Sequence, residues 1–193
     1  MIAWLQGVLR ERQPGRMLLD VHGVGYELQI PVGTYTQLPP PGAEAAVHVH
    51  THVREDAIQL FGFATAGEKQ VFEKLISVNG VGPKLALAIL SGLAPDALAV
   101  AVHSGDLARL TSIPGVGRKT AERLVVELRD KLAAVAPEAL AAAAFAGPAE
   151  DVLSALMNLG YAEPSARKAV ERARATRPDA GFDELFAACM KAL

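Results

Sequence analysis

Apolar and β-branched residues alternate with polar residues through much of the first 64 positions. The two longest runs of this kind cover residues 17–32 and 44–63, and turn sequences such as "PGR", "LPPPG" and "RED" bound or interrupt them. Short alternating runs divided by Gly, Pro and Asp are typical of β-strands joined by tight turns. The pattern predicts a small β-barrel or sandwich over residues 1–64.

The tripeptide "GVG" at residues 23–25 lies between two of these strand-like runs. A tight hairpin turn needs residues with positive φ, and glycine adopts that conformation without a steric penalty. We therefore expect this copy of GVG to form a β-hairpin turn.

After the strands, the hydrophobic period changes from two to about 3.6 residues. Residues 65–68 have the Thr-x-x-Glu form of a capping box, and the apolar positions that follow share one helical face. The helix is expected to stop at Asn79-Gly80, and Pro83 suits the first turn of the next helix. The sequence thus predicts a helix, a short glycine hairpin and a second helix.

The same plan returns further along the chain, where "VNGVGPK" at 78–84 is matched by "IPGVGRK" at 113–119. The glycines Gly80 and Gly115 are 35 residues apart. The same offset relates Leu75/Leu110, Ser77/Ser112, Gly82/Gly117, Lys84/Lys119 and Ala86/Ala121. A constant offset over so many positions indicates an internal repeat.

A glycine hairpin that opens a helix is suited to binding an anion. Glycines let the backbone approach a ligand, and the helix start offers unpaired N–H groups, its positive dipole end and a nearby lysine. A single copy could be a structural turn, but two copies with matching lysines favour DNA binding. We expect the hairpins, about one domain-width apart, to hold DNA backbone without reading bases. A P-loop is not predicted, because Arg118 separates Gly117 from Lys119.

The last third of the chain changes character. Residues 134–149 are rich in alanine, contain two prolines and carry little charge, which predicts a linker. Three short helices are predicted after it. Their apolar positions are Val152, Leu153, Leu156 and Met157; Ala166, Ala169, Val170 and Ala173; and Leu185, Phe186, Cys189 and Leu193.

Composition narrows the classes of function. The 193 residues are 51% hydrophobic and carry a net charge of −2, which argues against a uniformly basic nucleic-acid binder and requires a local basic patch instead. The N-terminal sequence lacks a signal-peptide pattern, and the chain has no long uncharged apolar run, so we expect a cytoplasmic protein without a membrane partner. The single cysteine, Cys189, is expected to be a buried thiol.

Three histidines, His48, His50 and His52, alternate along one predicted strand. Ligands spaced in this way would spread over about 13 Å, too far for one metal ion. A solvated strand face is the expected arrangement, and no metal or other cofactor is predicted.

Four segments together resemble one known family. They are "GVGYELQIP", "VREDAIQLFGF", "NGVGPKLALAILSGL" and "PGVGRKTAERLVVEL". In this order they are similar to the RuvA family, the Holliday-junction-binding subunits of the bacterial branch-migration machine. The resemblance implies a multidomain α+β fold. Its parts would be an N-terminal OB-fold β-barrel (1–64), a tandem helix-hairpin-helix domain (65–133), a flexible linker (134–149) and a C-terminal three-helix, UBA-like domain (150–193).

The resemblance also implies a function and its residues. RuvA-like proteins form a homotetramer, or an octamer of two facing tetramers, that holds a four-way junction open and planar for branch migration in recombination and repair. Glu55 and Asp56 would form an acidic pin that separates strands at the centre of the junction. The DNA-binding residues carried over are Asn79, Gly80, Val81, Gly82 and Lys84, and Gly115, Val116, Gly117, Arg118, Lys119 and Arg123.

The family resemblance implies protein partners as well. The C-terminal domain would bind the RuvB motor ATPase, with Leu159 and Tyr161 as candidate contact residues on the assumption that both are exposed. The RuvC resolvase is a further expected partner. The chain itself would be a non-catalytic subunit.

An enzyme is the alternative. The segment "IPGVGRKTAERL" also resembles the hairpin of helix-hairpin-helix DNA glycosylase/lyases, in which Lys119 would be a Schiff-base nucleophile. The aspartate and iron–sulfur cysteines of those enzymes have no counterpart here, and only 5% of the residues are aromatic, too few to suggest a base-flipping pocket.

Overall fold

The computed structural model describes residues 1–133, 135, 140, 148–178 and 180–192. The chain divides into two compact units, Met1–Ala139 and Leu140–Leu193. The four-part division predicted from the sequence is finer than this, and its borders stay a prediction. Most of the predicted linker, 134–149, lies outside the described residues, although its last two positions already belong to a helix.

Five strands of the first unit form a closed barrel. They are β1 (Trp4–Gln13), β2 (Arg16–Val21), β3 (Val24–Gln29), β4 (Glu44–Val53) and β5 (Ile58–Phe63), with helix α1 (Val32–Gln37) between β3 and β4. The order around the barrel is β1-β2-β3-β5-β4, and the β3–β5 pair is parallel whereas the other pairs are antiparallel. A five-stranded Greek-key barrel of this kind is the OB-fold. The predicted fold class is confirmed, and the open choice between barrel and sandwich resolves to a barrel.

Alternate strand residues fill the barrel interior. The buried side chains include Leu5, Leu9, Met17, Leu19, Leu28, Ile30, Val47 and Val49. Most of them are the apolar residues of the alternating pattern in the sequence, which point into the barrel.

A two-residue turn joins β2 to β3. His22 and Gly23 have φ of +52° and +89°, as a type I′ hairpin requires, and Asp20 accepts a 2.7 Å hydrogen bond from the N–H of Gly23. Hydrogen bonds from Arg10 and then from Gly23 lower the pKa of Asp20. The turn predicted for residues 23–25 is confirmed at Gly23, whereas Gly25 already belongs to β3.

The helices after the barrel are α2 (Ala66–Ile76), α3 (Pro83–Gly92), α4 (Pro95–Ser104), α5 (Leu107–Thr111) and α6 (Arg118–Ala133).

The first half of the predicted capping box is confirmed at the start of α2, since Thr65 Oγ1 accepts a hydrogen bond from the N–H of Glu68 at 3.1 Å. The second half differs. Glu68 is buried, and its carboxylate accepts from the Thr34 hydroxyl at 2.8 Å and from the Ala64 N–H at 3.0 Å. Glu68 therefore ties the start of α2 to α1 and to Ala64, directly after β5.

Three phenylalanines connect the barrel to the helices. Phe72 of α2 lies 5.1 Å from Phe61 and 4.9 Å from Phe63 between ring centroids. Between them in β5, Gly62 faces the barrel interior, where an added Cβ would lie 3.1 Å from Leu28. Because strand residues alternate, Phe61 and Phe63 point outward and join the hydrophobic core of the helices.

Helices α3 and α4 are the most apolar consecutive pair in the first unit. Within the part of the chain that the structure describes, no single helix has the length and apolar character to cross a membrane. Among the described helices, only α3 and α4 taken together are long and apolar enough, and the pair is bent by 95° at the break between them.

The second unit contains α7 (Pro148–Asn158), α8 (Glu163–Thr176) and α9 (Phe182–Ala192). Most apolar positions predicted for these helices are buried, but Met157 is 45% exposed. Leu193 lies outside the described residues. Cys189 is buried as predicted, and burial raises the pKa of its thiol.

Candidate DNA-binding surface

The two glycine hairpins have the same backbone hydrogen bonds. In the first, Val78 N–H donates to Leu75 O, and Val81 N–H donates to Val78 O at 3.0 Å. In the second, the equivalent residues 35 positions later make the same bonds, including Val116 N–H to Ile113 O at 3.0 Å. The sequence repeat is therefore a repeat of structure down to individual hydrogen bonds.

Each hairpin turns at one glycine with positive φ. Gly80 has φ +87° and Gly115 has φ +88°, a left-handed conformation that costs other residues about 1–2 kcal/mol. The second glycine of each hairpin is different. An added Cβ at Gly82 or Gly117 would meet no atom within 4 Å. The first glycine makes the turn, and the second leaves open space in front of the backbone.

The valine between the two glycines anchors each hairpin. Val81 and Val116 are only 4% and 5% exposed, and both N–H groups are used inside the hairpins. This changes how the predicted site should be interpreted, because neither valine has a free amide to offer a phosphate. The amides of the neighbouring glycines and of the helix starts are better placed, and Gly82, the N-cap of α3, makes no side-chain capping bond.

Exposed basic side chains surround both hairpins. Lys84 and Lys119 occupy equivalent exposed positions, and within residues 1–133, described throughout, neither forms an ion pair. Arg118 is 82% exposed and pairs with Glu122 at 3.0 Å. The lysines thus keep their charge available for an anionic ligand.

Arg123 connects the two hairpins. It belongs to α6, but its Nη1 donates to the carbonyl oxygen of Asn79 in the first hairpin at 3.2 Å. In the other direction, an added Cβ at Gly115 would lie 3.2 Å from Cδ1 of Leu85 in α3. Each hairpin therefore lies against the helix that follows the other hairpin, and the predicted separation of about one domain-width stays a prediction. The repeat could not reveal this, because it contains no information on contacts between copies.

The predicted acidic pin is an exposed turn between β4 and β5. Glu55 and Asp56 are both exposed, and the turn is closed by a 2.8 Å hydrogen bond from Arg54 N–H to Ala57 O. The flanking residues Val53 and Ile58 are also exposed, at 66% and 72%. The turn thus presents two carboxylates to solvent, and exposed apolar side chains flank it on both sides.

The histidines of β4 do not form the solvated face that was predicted. His50 packs edge-on against Phe72 at 5.4 Å, and its Nδ1 lies 3.2 Å from Oε1 of Glu73 in α2. His52 accepts a hydrogen bond from Arg54 instead. That prediction was wrong for His50, which is part of the contact between the barrel and the helices.

The two candidate contact residues of the second unit differ in exposure. Leu159 is 60% exposed, whereas Tyr161 is half-buried and packs against the hydrophobic core of that unit. The expectation that Tyr161 is exposed was therefore wrong. Met157 and Phe182 are additional exposed apolar side chains, and neither was among the predicted contact residues.

An OB-fold barrel joined to two matching helix-hairpin-helix motifs, with unpaired lysines at both hairpins, defines a class of DNA-binding protein that holds the phosphate backbone. Family models match the same parts of the chain. The RuvA N terminal domain matches residues 1–62, the SAM-like helix-hairpin-helix tandem 72–130, and the RuvA C-terminal domain 147–193. The chain belongs to the RuvA family.

Full-length relatives give the same result. A protein of Acidobacterium capsulatum is 54% identical over 99% of this chain and 98% of its own length. Proteins of Solibacter usitatus (50% identical, 96% of both chains) and Geobacter sulfurreducens (48% identical, 100% of this chain and 99% of its own) are similarly close. All three are named Holliday junction branch migration complex subunit RuvA. The family predicted from the four sequence segments is confirmed.

Proposed function

We propose that this protein binds four-way DNA junctions as the RuvA subunit of a Holliday junction branch migration complex. The observation that carries the proposal is the pair of hairpins with equal backbone geometry, each with an unpaired lysine at the same position. Membership of the RuvA family supports it independently.

In this proposal the hairpins bind phosphates and not bases. The amides at Gly80, Gly82, Gly115 and Gly117 and the N-terminal turns of α3 and α6 would donate to phosphate oxygens, and the predicted basic residues would add charge. Such contacts contain no sequence information, so discrimination must come from the shape of the DNA.

The acidic pin supplies that discrimination. Glu55 and Asp56 would repel phosphates of a continuous duplex, but in an open junction they would lie where the strands diverge. Attraction at the hairpins and repulsion at the turn together favour a branched DNA over a linear one.

Assembly and partners follow from the family. We propose a homotetramer, alone or as facing pairs in an octamer, that works in the cytoplasm with the RuvB motor ATPase and the RuvC resolvase. The exposed Leu159 supports a role for the second unit in binding the motor, and Met157, two residues before it, and Phe182, at the start of α9, are also exposed apolar side chains of that unit.

The chain itself is proposed to be non-catalytic. Lys119 is exposed on a shallow surface shared with Glu122, Arg123, Val126 and Glu127, without the enclosed pocket that would hold a flipped base. Borohydride treatment with an abasic-site duplex should therefore trap no adduct. A covalent product through Lys119 would favour the lyase instead.

The experiment that tests the function compares a labelled four-way junction with a linear duplex of the same sequence. The purified protein should bind the junction far more tightly at physiological salt, and binding should weaken steeply as salt is raised. Equal, weak binding to both DNAs would contradict the proposal.

Substitutions at the hairpin glycines can separate an effect on folding from an effect on the approach of a phosphate. Gly115→Ala should lower the free energy of unfolding by about 1–2 kcal/mol, because alanine is strained at positive φ. Gly117→Ala should leave stability within about 1 kcal/mol of wild type, because its Cβ meets open space. It should nevertheless weaken junction binding about tenfold or more, because the new Cβ would occupy the open space through which a phosphate approaches the backbone N–H, and a lost hydrogen bond to a charged group costs about 1.5–3 kcal/mol.

Thermal unfolding and junction titration of the two variants check this prediction. Gly80→Ala and Gly82→Ala are the matched pair in the first hairpin and should behave in the same way. If Gly82→Ala and Gly117→Ala both bound the junction like wild type, the hairpin backbone would not be in contact with phosphate.

A further inference from the structure

The basic residue of the acidic turn does not pair with its acidic neighbours. Arg54 precedes Glu55 and Asp56, but within residues 1–133 its side chain forms no ion pair with either of them. Its Nε instead donates to Nε2 of His52 at 3.0 Å. This bond holds the guanidinium beside His52 at the end of β4.

Arg54 also faces the first hairpin. With Gln59 of β5 it lines a shallow pocket of about 400 Å³, and the other walls are Gly82, Pro83 and Lys84. Two positive charges and no carboxylate line this pocket. It is continuous with the proposed phosphate-binding surface through Gly82 and Lys84, so an anion from the same DNA is the ligand whose charge and position fit.

We propose that Arg54 is a DNA contact residue, which binds a backbone phosphate together with Lys84 where a strand passes from the first hairpin to the acidic turn. This inference rests on the proposed function and extends its binding surface from the helices to the barrel. The sequence "RED" then has two opposite roles. Arg54 attracts the backbone, and Glu55 and Asp56 repel it immediately beyond, which sets how far the strand advances before it is turned aside.

The test is Arg54→Gln in the full-length protein, with junction binding measured over a range of salt concentrations. For each subunit that has lost a phosphate contact, we expect binding near 0.15 M salt to be weaker by about fivefold and the slope of log affinity against log salt to be shallower by about 0.9. Arg172→Gln is the matched control. It removes the same charge from an exposed position on α8 and should change neither the affinity nor the slope.

The outcomes separate this inference from the proposed function. If wild type fails to prefer the junction, the function itself is wrong. If wild type prefers the junction and Arg54→Gln keeps the wild-type salt slope, the function stands and Arg54 is not a phosphate contact, whatever the change in affinity. Arg54 is exposed, so the variant should fold, and an unchanged thermal unfolding curve verifies this.

Discussion

The double variant Lys84→Gln/Lys119→Gln should lose junction binding by a factor on the order of 10³ near physiological salt. The two lysines occupy equivalent positions in the repeat, and within residues 1–133 neither is neutralised by an ion pair. The variant therefore removes the same charge from both hairpins without exposing a buried partner. Titration of a labelled junction at several salt concentrations measures the loss.

The size of this effect follows from counterion release. Each phosphate contact releases about 0.9 of a condensed counterion, which corresponds to about fivefold in affinity near 0.15 M salt. In a tetramer the double variant removes up to eight lysine contacts, and half of that number already gives a loss on the order of 10³. The salt slope should become shallower in proportion.

Lys168→Gln/Lys191→Gln provides the control, because it removes two lysines from the second unit and should bind the junction like wild type. A double hairpin variant that kept its affinity would show that the hairpins face something other than DNA. A loss of affinity without a change in salt slope would indicate a disturbed assembly instead of lost phosphate contacts.

The local structure of the hairpins was predictable because it depends on residues close in sequence. Gly80 and Gly115 were expected in turns, and the 35-residue offset correctly implied equal backbones. The pattern could not distinguish the hairpin residues that anchor the turn from those that can contact a phosphate. Val81 and Val116 were grouped with the phosphate-binding positions, but both are buried and their amides are used internally.

Contacts between distant elements were beyond the sequence. Arg123 was expected to add charge, and nothing in its neighbours indicates that it reaches Asn79 in the other hairpin. His50 was expected to face solvent, because a strand pattern shows which residues share a face but not what covers that face. In the structure α2 covers it, with Glu73 next to the imidazole.

The same limitation applies to the end of β5, where both faces are buried. Phe61, Gly62 and Phe63 form a continuous apolar run, and such a run does not reveal which residue points into the barrel. The structure shows that it is Gly62, where an added Cβ would lie only 3.1 Å from Leu28. The two phenylalanines are left on the outer face, where they meet the helices.

Phe72→Ala should therefore destabilise the barrel and the helices together. The ring is fully buried and contacts both outer phenylalanines of β5, so its removal should lower the free energy of unfolding by about 3–5 kcal/mol. Trp4, the one tryptophan of the sequence, lies in β1 and reports on the barrel by fluorescence, while circular dichroism reports on the helices. Both transitions should move to lower denaturant concentration.

The comparison of the two signals is the critical part of this experiment. Val126→Ala, on an 81% exposed position of α6, should shift neither transition by more than about 0.5 kcal/mol. If Phe72→Ala moved the helical transition but left the Trp4 transition in place, the barrel would be stable without the helices. The phenylalanine contact would then be a junction between two independently stable parts. If both move together, the contact makes them one cooperative unit, which would hold the acidic turn in a fixed position relative to the hairpins.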